Sequence, residues 1–412
     1  MNVTQDHDAP ARDFSRYLTA RLLSVAGSLV SVVALPVLVY QLTGSPGWTS
    51  AVAMAEALPY LVFGLLAGAV ADRVDRRRLM VAMDVVVAGG LVTVPLAWWA
   101  GVLTAPHVVV VAFLAQTAFV FFDAANFGAL PSLVGKAKLT AAYAKLFGRS
   151  TMVELVVPGA AGLLVATIAP ADLLAVNVVT AAGSAMLIRA IRGALSTPRA
   201  DATTLARDIG SGLRFLWRHP IIRTLTLVGA THSAAAGAWV AMLVPWADRV
   251  LGVAPSGDPR LAALFSSWGV GALLASRLLP RLTERWGGAR LALAGLPLSL
   301  LCAGSALLST HWAPACAAAI AWGTAHSTVV LNAITYRQRM CPPELQSRVN
   351  TTARMLSWGL GQPAGAALAG GAAVLAGPRA GLAAGGAVLL VGVVLAWATP
   401  TLRRAARTAS AN

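Results

Sequence analysis

Apolar residues in this chain fall into long blocks separated by short polar punctuation. A helix needs roughly 20 apolar residues to cross the hydrocarbon layer. About twelve blocks approach that length, at 17–40, 48–70, 79–100, 106–128, 144–168, 172–192, 221–247, 260–280, 289–309, 312–336, 351–376 and 380–399. Only Ala169, Pro170 and Ala171 divide the fifth from the sixth. Membrane-spanning strands would read as short stretches of alternating polarity, which these blocks are not. The first block is too long for a signal h-region and no small-x-small cleavage site follows it, so it reads as the first span. The expectation is an all-α membrane protein of twelve spans, with both termini cytoplasmic.

Composition excludes a soluble enzyme. The chain is 57% hydrophobic and 12% charged, against about 25% charge in soluble domains. The net charge of +16 would suit nucleic acid, but its distribution does not. With both termini inside, all but three of the 32 Lys and Arg fall in cytoplasmic segments or adjoining span ends, the exceptions being Arg249, Arg260 and Arg379. That is the positive-inside rule, and the surplus meets anionic lipid headgroups. No basic groove or reading motif accompanies it, so nucleic acid is not expected as a partner. The three cysteines, Cys302, Cys316 and Cys341, have no metal spacing and read as ordinary thiols. The longest connection is central and includes an amphipathic stretch, Thr204 to Trp217, suited to the cytoplasmic interface. The expected organisation is a tail at 1–16, a six-helix bundle at 17–192, a linker at 193–220, a second six-helix bundle at 221–400 and a tail at 401–412. An Ala-rich, Arg-over-Lys composition fits a high-GC bacterium and location in its inner membrane.

The halves repeat. After the second block, Asp72, Arg73 and Arg78 match Glu284, Arg285 and Arg290 after the eighth. The same offset carries Pro131, Leu133 and Lys136 onto Pro343, Leu345 and Arg348. Parallel six-span repeats place a substrate site between the halves near the midplane. With Gly68-x3-Asp72-Arg73-x-Asp75-Arg76-Arg77 in view, the chain resembles the major facilitator superfamily, with Asp75 where the superfamily's loop motif has Gly. The resemblance covers about 15–400. It implies a conformational latch built from Gly68, Asp72, Arg73, Arg76, Arg77, Asp84, Glu284 and Arg285, with Gly68 allowing a close helix approach. Within the superfamily the chain is similar to the group of the enterobactin exporter and the macrolide efflux pumps. The cues are Ala34-Leu35-Pro36, Leu130-Pro131-Ser132-Leu133-Val134, Gly212-Leu213-Arg214-Phe215-Leu216 and the segment Arg339–Asn350. It departs from that group at Ser28, where an acid often follows the span 1 glycine, and at Gln116, where span 4 of drug antiporters often carries Arg. The Gly-Pro signature of span 5 is weakened to Val157-Pro158-Gly159.

Ionisable groups inside a membrane default to functional hypotheses. Glu154 falls roughly 15 Å into span 5. Asp123 shares a helical stripe with Gln116 and Phe119, and reads either as a proton or substrate contact or as the partner of a cytoplasmic-side arginine. Glu56, one turn before Pro59, either bonds backbone freed by the proline or meets substrate. Asp84 lies near the cytoplasmic face, within reach of the loop arginines. His232 and His326 titrate near neutrality; the resemblance places their spans at the cavity, beside Trp239, Trp246 and Trp322. The proton-coupling candidates are thus Glu154, Asp123, Glu56, His232 and His326. The substrate-cavity candidates are Ser24, Ser28, Gln116, Phe119, Trp239 and Trp322. Glycines 359, 361, 365 and 370, with Pro363, suit tight packing of span 11. No Walker loop, metal constellation or catalytic nucleophile occurs, so neither an enzyme nor a cofactor is expected. The reading is a monomeric secondary transporter that exports a drug or natural product against protons; uniport, import or ligand binding without transport stand as alternatives.

Overall fold

The computed structural model of the chain describes residues 9–196, 205–342 and 346–408. Every regular element among them is helical: α1(Ala9–Thr43), α2(Pro46–Arg73), α3(Arg76–Trp99), α4(Ala105–Val165), α5(Pro170–Arg189), α6(Leu205–Arg218), α7(Pro220–Leu251), α8(Arg260–Trp286), α9(Gly288–Leu308), α10(Trp312–Met340), α11(Gln346–Arg354), α12(Gly361–Ala376), α13(Pro378–Ala398) and α14(Pro400–Thr408). A π-helical turn, Met355–Leu360, joins α11 to α12. Hydrocarbon supplies no hydrogen-bond partner for a peptide, so helices that bond their own backbone are one of the two structures that can cross it. Prolines open several of them, at Pro46, Pro170, Pro220, Pro378 and Pro400, where the missing N–H has no helical partner to lose.

Ten helices among the described residues are long and apolar enough to cross a membrane, and the chain is a multi-pass membrane protein. The remaining two expected blocks are helical but irregular. Block 144–168 continues α4 beyond Gly135, whose φ of 70° and ψ of 167° break the helix in a conformation suited to glycine. Block 351–376 is divided among α11, the π-turn and α12. The turn separating the fifth and sixth blocks starts at Ala166, the C-cap of α4, and ends where Pro170 opens α5. The expected linker helix appears as α6, although Thr204 and the rest of 197–204 lie outside the described residues. Pro343 and Leu345 of the repeat also lie outside them.

Two compact units are recognisable. The first joins Met1–Leu38 to Val62–Ala202, and the second joins Val39–Leu61 to Thr203–Asn412. In the first, α3 packs between α4 and α5. Asp13 accepts the amides of Arg192 (3.0 Å) and Gly193 (2.7 Å), closing the end of α5 onto α1. In the second, α7 packs on α12 and α13, and α10 on α8 and α9. The hairpin formed by the end of α1 and the start of α2 belongs to this unit. Tyr40 donates to Asp248 (2.7 Å), while Arg249 donates to the Tyr40 hydroxyl (3.2 Å) and to the Gly44 carbonyl. In the loop before α8, Arg260 bonds both oxygens of Asp258, holding that carboxyl below the ordinary range.

Backbone meets backbone where α7 crosses α12. A Cβ on Gly361 would run into the Ala230 carbonyl, one on Gly365 into the Ala234 carbonyl, and one on Gly237 into the Gln362 carbonyl. The tight packing expected of the span 11 glycines is therefore present at Gly361 and Gly365, and Cβ atoms on Gly370 and Gly359 would likewise press on Ser50 and Leu61. Gly365→Val is expected to lower unfolding stability by about 1–3 kcal/mol through overpacking. Gly371→Ala, with open space around its Cβ, is expected to leave stability level or slightly higher. Thermal unfolding in detergent, with the two variants side by side, checks both.

Candidate functional site

In the first unit, successive turns of α1 aim Tyr17 and Arg21 at α4, since residues four apart share a helical face. Arg21 donates to Asp123 at 2.6 Å, with both side chains largely buried. Its guanidinium lies 5.5 Å from the Phe119 ring centroid and 5.9 Å from that of Phe122. Tyr17 donates to the Asn126 carbonyl at 3.1 Å and also to the Asn126 side chain. Past the Gly135 break, α4 returns Tyr143, Ser150 and Glu154 to the same place. Together these residues enclose a cavity of about 90 Å³. Glu154 is its exposed acid and feels the charge of Arg21. Asp84, buried on α3 beside Ser184, also feels Arg21. One nitrogen of Arg21 (Nη1) and one oxygen of Asp84 (Oδ2) are buried without a hydrogen-bond partner among the described residues.

One guanidinium thus bonds a single carboxylate, that of Asp123, and lies in the field of two more. Asp123 takes the arginine-partner reading left open by the sequence. The span 1 acid and span 4 arginine common in the group the chain resembles are absent, while Arg21 on α1 and Asp123 on α4 form an ion pair. Sequence reasoning missed Arg21 because, near the start of the first block, it counted as one more cytoplasmic positive charge. Its signal was its place inside that block, within 17–40.

Of the other expected cavity residues of this unit, three come together and Gln116 stands apart. Ser24, Ser28, Phe119 and Asp84 line a space of about 10 Å³, barely one water's worth. Gln116 is half-buried and forms no hydrogen bond among the described residues. Asp84 does not meet the loop arginines; its position on α3 turns it inward. Arg76 instead bonds the Gly128 carbonyl (2.9 Å), with Asp72 at 3.3 Å, and Arg77 bonds the Gly193 carbonyl (2.6 Å). The close approach expected at Gly68 is not there, since a Cβ on Gly68 would meet nothing within 4 Å. At Gly128, by contrast, the absence of a side chain leaves room for the Arg76 guanidinium, with which a Cβ would collide. Asp75 caps α3 by accepting the Arg78 amide at 2.8 Å, and Arg73 is exposed.

In the second unit, α8 and α10 cross closely enough that a Cβ on Gly271 would strike the Ile320 carbonyl. That brings Trp268 to 4.8 Å from the ring of His326, which stands 5.4 Å from His232. Trp322 lies edge-on to both Trp268 and Trp239, and Trp239 contacts Trp246. The two histidines and three tryptophans singled out in the sequence therefore form one cluster. Trp268 completes it, unmarked in the sequence because it lacks helical spacing to either histidine. His232 bonds the carbonyl of Val228 in its own helix (3.2 Å), while its Nε2 and the Nδ1 of His326 are buried without partners among the described residues. Glu56 is half-buried and forms no hydrogen bond there, so it does not serve backbone freed by Pro59. Glu284 and Arg285 are exposed and unpaired among the described residues. Arg290 bonds the Ala406 carbonyl at 2.7 Å.

The profile of the transmembrane secretion effector family matches residues 9–411. Curated relatives include the multidrug efflux pump Tap of Mycolicibacterium fortuitum, 35% identical over 220 residues, covering 51% of this chain and 54% of that protein. Tap of Mycobacterium tuberculosis H37Rv is 32% identical over 229 residues, 53% of this chain and 54% of that one. The chain spans about half the length of the curated relatives it matches. Among solved structures, the nucleoside transporter NupG aligns with a TM-score of 0.76 at 12% identity, over 95% of this chain and 98% of that one. A bacterial homologue of the iron transporter ferroportin, inward-facing, aligns with a TM-score of 0.75 at 15% identity, over 94% and 98%. These likenesses establish the fold.

The Arg21–Asp123 pair generates a stability prediction. Arg21→Met strands a buried carboxylate and is expected to cost about 3–5 kcal/mol. Arg21→Met combined with Asp123→Leu is expected to recover most of that loss. The readout is the thermal unfolding of the three proteins in detergent.

Proposed function

The chain belongs to the transmembrane secretion effector family of the major facilitator superfamily, and from that premise we propose that it exports a bulky hydrophobic or amphipathic small molecule, a drug or natural product, in exchange for protons. The relatives named multidrug efflux pumps support the substrate class. The observation that carries the coupling is one arginine paired with Asp123 and within the field of two further acids, one of them open to a cavity. A proton arriving on Asp123 removes the charge that holds Arg21. The guanidinium then turns to Glu154 or Asp84, moving α1 against α4. Release of the proton restores the first pair. His232 and His326 supply a second titratable pair, in the unit that also carries the aromatic cluster.

The transporter works as a twelve-span monomer in a bacterial inner membrane, with both termini in the cytoplasm. The 136–165 part of α4 and the α11–α12 segment are its two irregular spans. Alternating access exposes the site to each side in turn, and the contacts of Arg76 and Arg77 with carbonyl groups hold one of the conformations.

The test is transport of the dye Hoechst 33342 by protein reconstituted into liposomes, with and without an imposed pH gradient. Wild type is expected to move dye faster when the imposed gradient drives protons across the membrane in the direction opposite to the dye. Glu154→Gln and Asp123→Asn are expected to reduce the gradient-driven part by roughly tenfold or more, about 1.4 kcal/mol per decade, while sparing dye counterflow. Wild-type flux indifferent to the gradient would replace antiport with uniport.

A further inference from the structure

A crevice of about 260 Å³ lies on the second unit between α9 and α13. Its floor is Trp239 of α7 and Trp322 of α10, and no ionisable side chain lines it. Its walls are kept low by Ala303 and Gly304 on α9 and by Gly386 and Ala387 on α13. Both wall helices are apolar spans. Leu390 at the crevice, Leu301 on α9 and Val394 on α13 are all exposed. The crevice therefore opens to hydrocarbon, and what enters it must first dissolve in the bilayer.

The floor holds a buried polar atom that is unpaired. Trp322 is only 4% exposed, and its indole N–H has no acceptor among the described residues. A buried donor without an acceptor is unfavourable by about 1–3 kcal/mol, which an acceptor on a bound molecule would relieve. The volume falls just short of the ~300 Å³ at which drug-sized pockets begin, so it takes one ring system, not a whole bulky molecule. Aromatic edges and faces favour a flat ring over a flexible chain.

We infer that this crevice is a binding site, reached from within the bilayer, for an aromatic ring system of a membrane-dissolved molecule bearing a hydrogen-bond acceptor. Bound there, the ring touches Trp322, which meets Trp268, which meets His326. Occupancy is thereby relayed to the buried histidine pair through contacting rings. The inference rests on the transporter reading only for what becomes of the ligand after it binds.

Two glycines make the test clean. A Cβ on Gly304 or on Gly386 would meet nothing within 4 Å, so a leucine at either position starts without backbone conflict, takes up space at the crevice and improves helix propensity. The probe is dansyl amide, a bicyclic ring with sulfonyl acceptors, whose emission is sensitised by nearby tryptophan. Full-length protein in phosphatidylcholine nanodiscs is titrated with it. Saturable sensitised emission is expected. Gly304→Leu and Gly386→Leu are expected to weaken binding by about tenfold with thermal unfolding unchanged. Trp322→Phe is expected to weaken it by roughly threefold to tenfold, the size of one lost hydrogen bond. Leucine variants that bind within about twofold of wild type would overturn the site while leaving proton-driven export standing. Tryptophan quenching by brominated phosphatidylcholine that dansyl amide does not relieve would give the crevice to lipid chains and also overturn it. Binding lost in the leucine variants with no Hoechst flux in wild type would sink the transport reading and keep the site.

Discussion

Hydrocarbon gives a peptide group nothing to bond with, and that deficit governs the architecture. It forces continuous helices, and it makes each interruption need a local remedy. Gly135 breaks α4 where no other residue would tolerate the dihedral angles. Pro36, Pro59 and Pro95 sit inside spans, where a soluble helix would rarely keep them. With no hydrophobic drive between helices in lipid, close contact has to come from small residues. The carbonyl-to-glycine crossings of α7 on α12 and of α8 on α10 are the result.

The same deficit acts on charge. A guanidinium away from water needs an anion, and Arg21 has one at 2.6 Å and two more in its field. Such an arrangement is poor economy for stability alone, since an apolar pair of similar volume would hold the helices as well. In the exchange proposed above, the arginine's choice of partner follows proton occupancy. The aromatic cluster of the other unit works by different physics, through ring contacts and two histidines with free nitrogens. One unit thus concentrates charge and the other concentrates polarisable surface.

Much of the fold was legible because hydropathy and helix length answer to the same bilayer thickness. All twelve apolar blocks are helical, and the break between α4 and α5 falls beside Pro170, as the sequence implied. What resisted reading depends on partners distant in sequence. Beyond its place inside the first apolar block, nothing local distinguishes Arg21 from the topogenic arginines; Asp123, about a hundred residues on, gives it a role. Asp84 read as a loop partner from its depth alone, yet the phase of α3 turns it towards Ser184. Gly68 carried the expected glycine role by motif, whereas the guanidinium that needs room lies over Gly128. Trp268 has no periodic relation to His326, because their meeting depends on the crossing of two helices at Gly271 and Gly323. Helix phase and crossing geometry are properties of pairs, and a single sequence lists its residues one at a time.

The π-turn at Met355–Leu360 bears on how this chain should be compared with others. A π-turn holds one residue more than the α-turn it replaces, and one residue rotates everything downstream by about 100°. Upstream of it, Arg354 lies over Tyr60; within it, Ser357 reaches the Thr226 carbonyl at 3.2 Å; downstream, Gly361 and Gly365 meet α7. The extra residue sets the phase that lets these contacts coexist. A relative whose helix is regular here would need a one-residue gap in the middle of a span, where alignments rarely place one. Without that gap, every position from Gly361 to Ala376 would be equated with a neighbour on the wrong face.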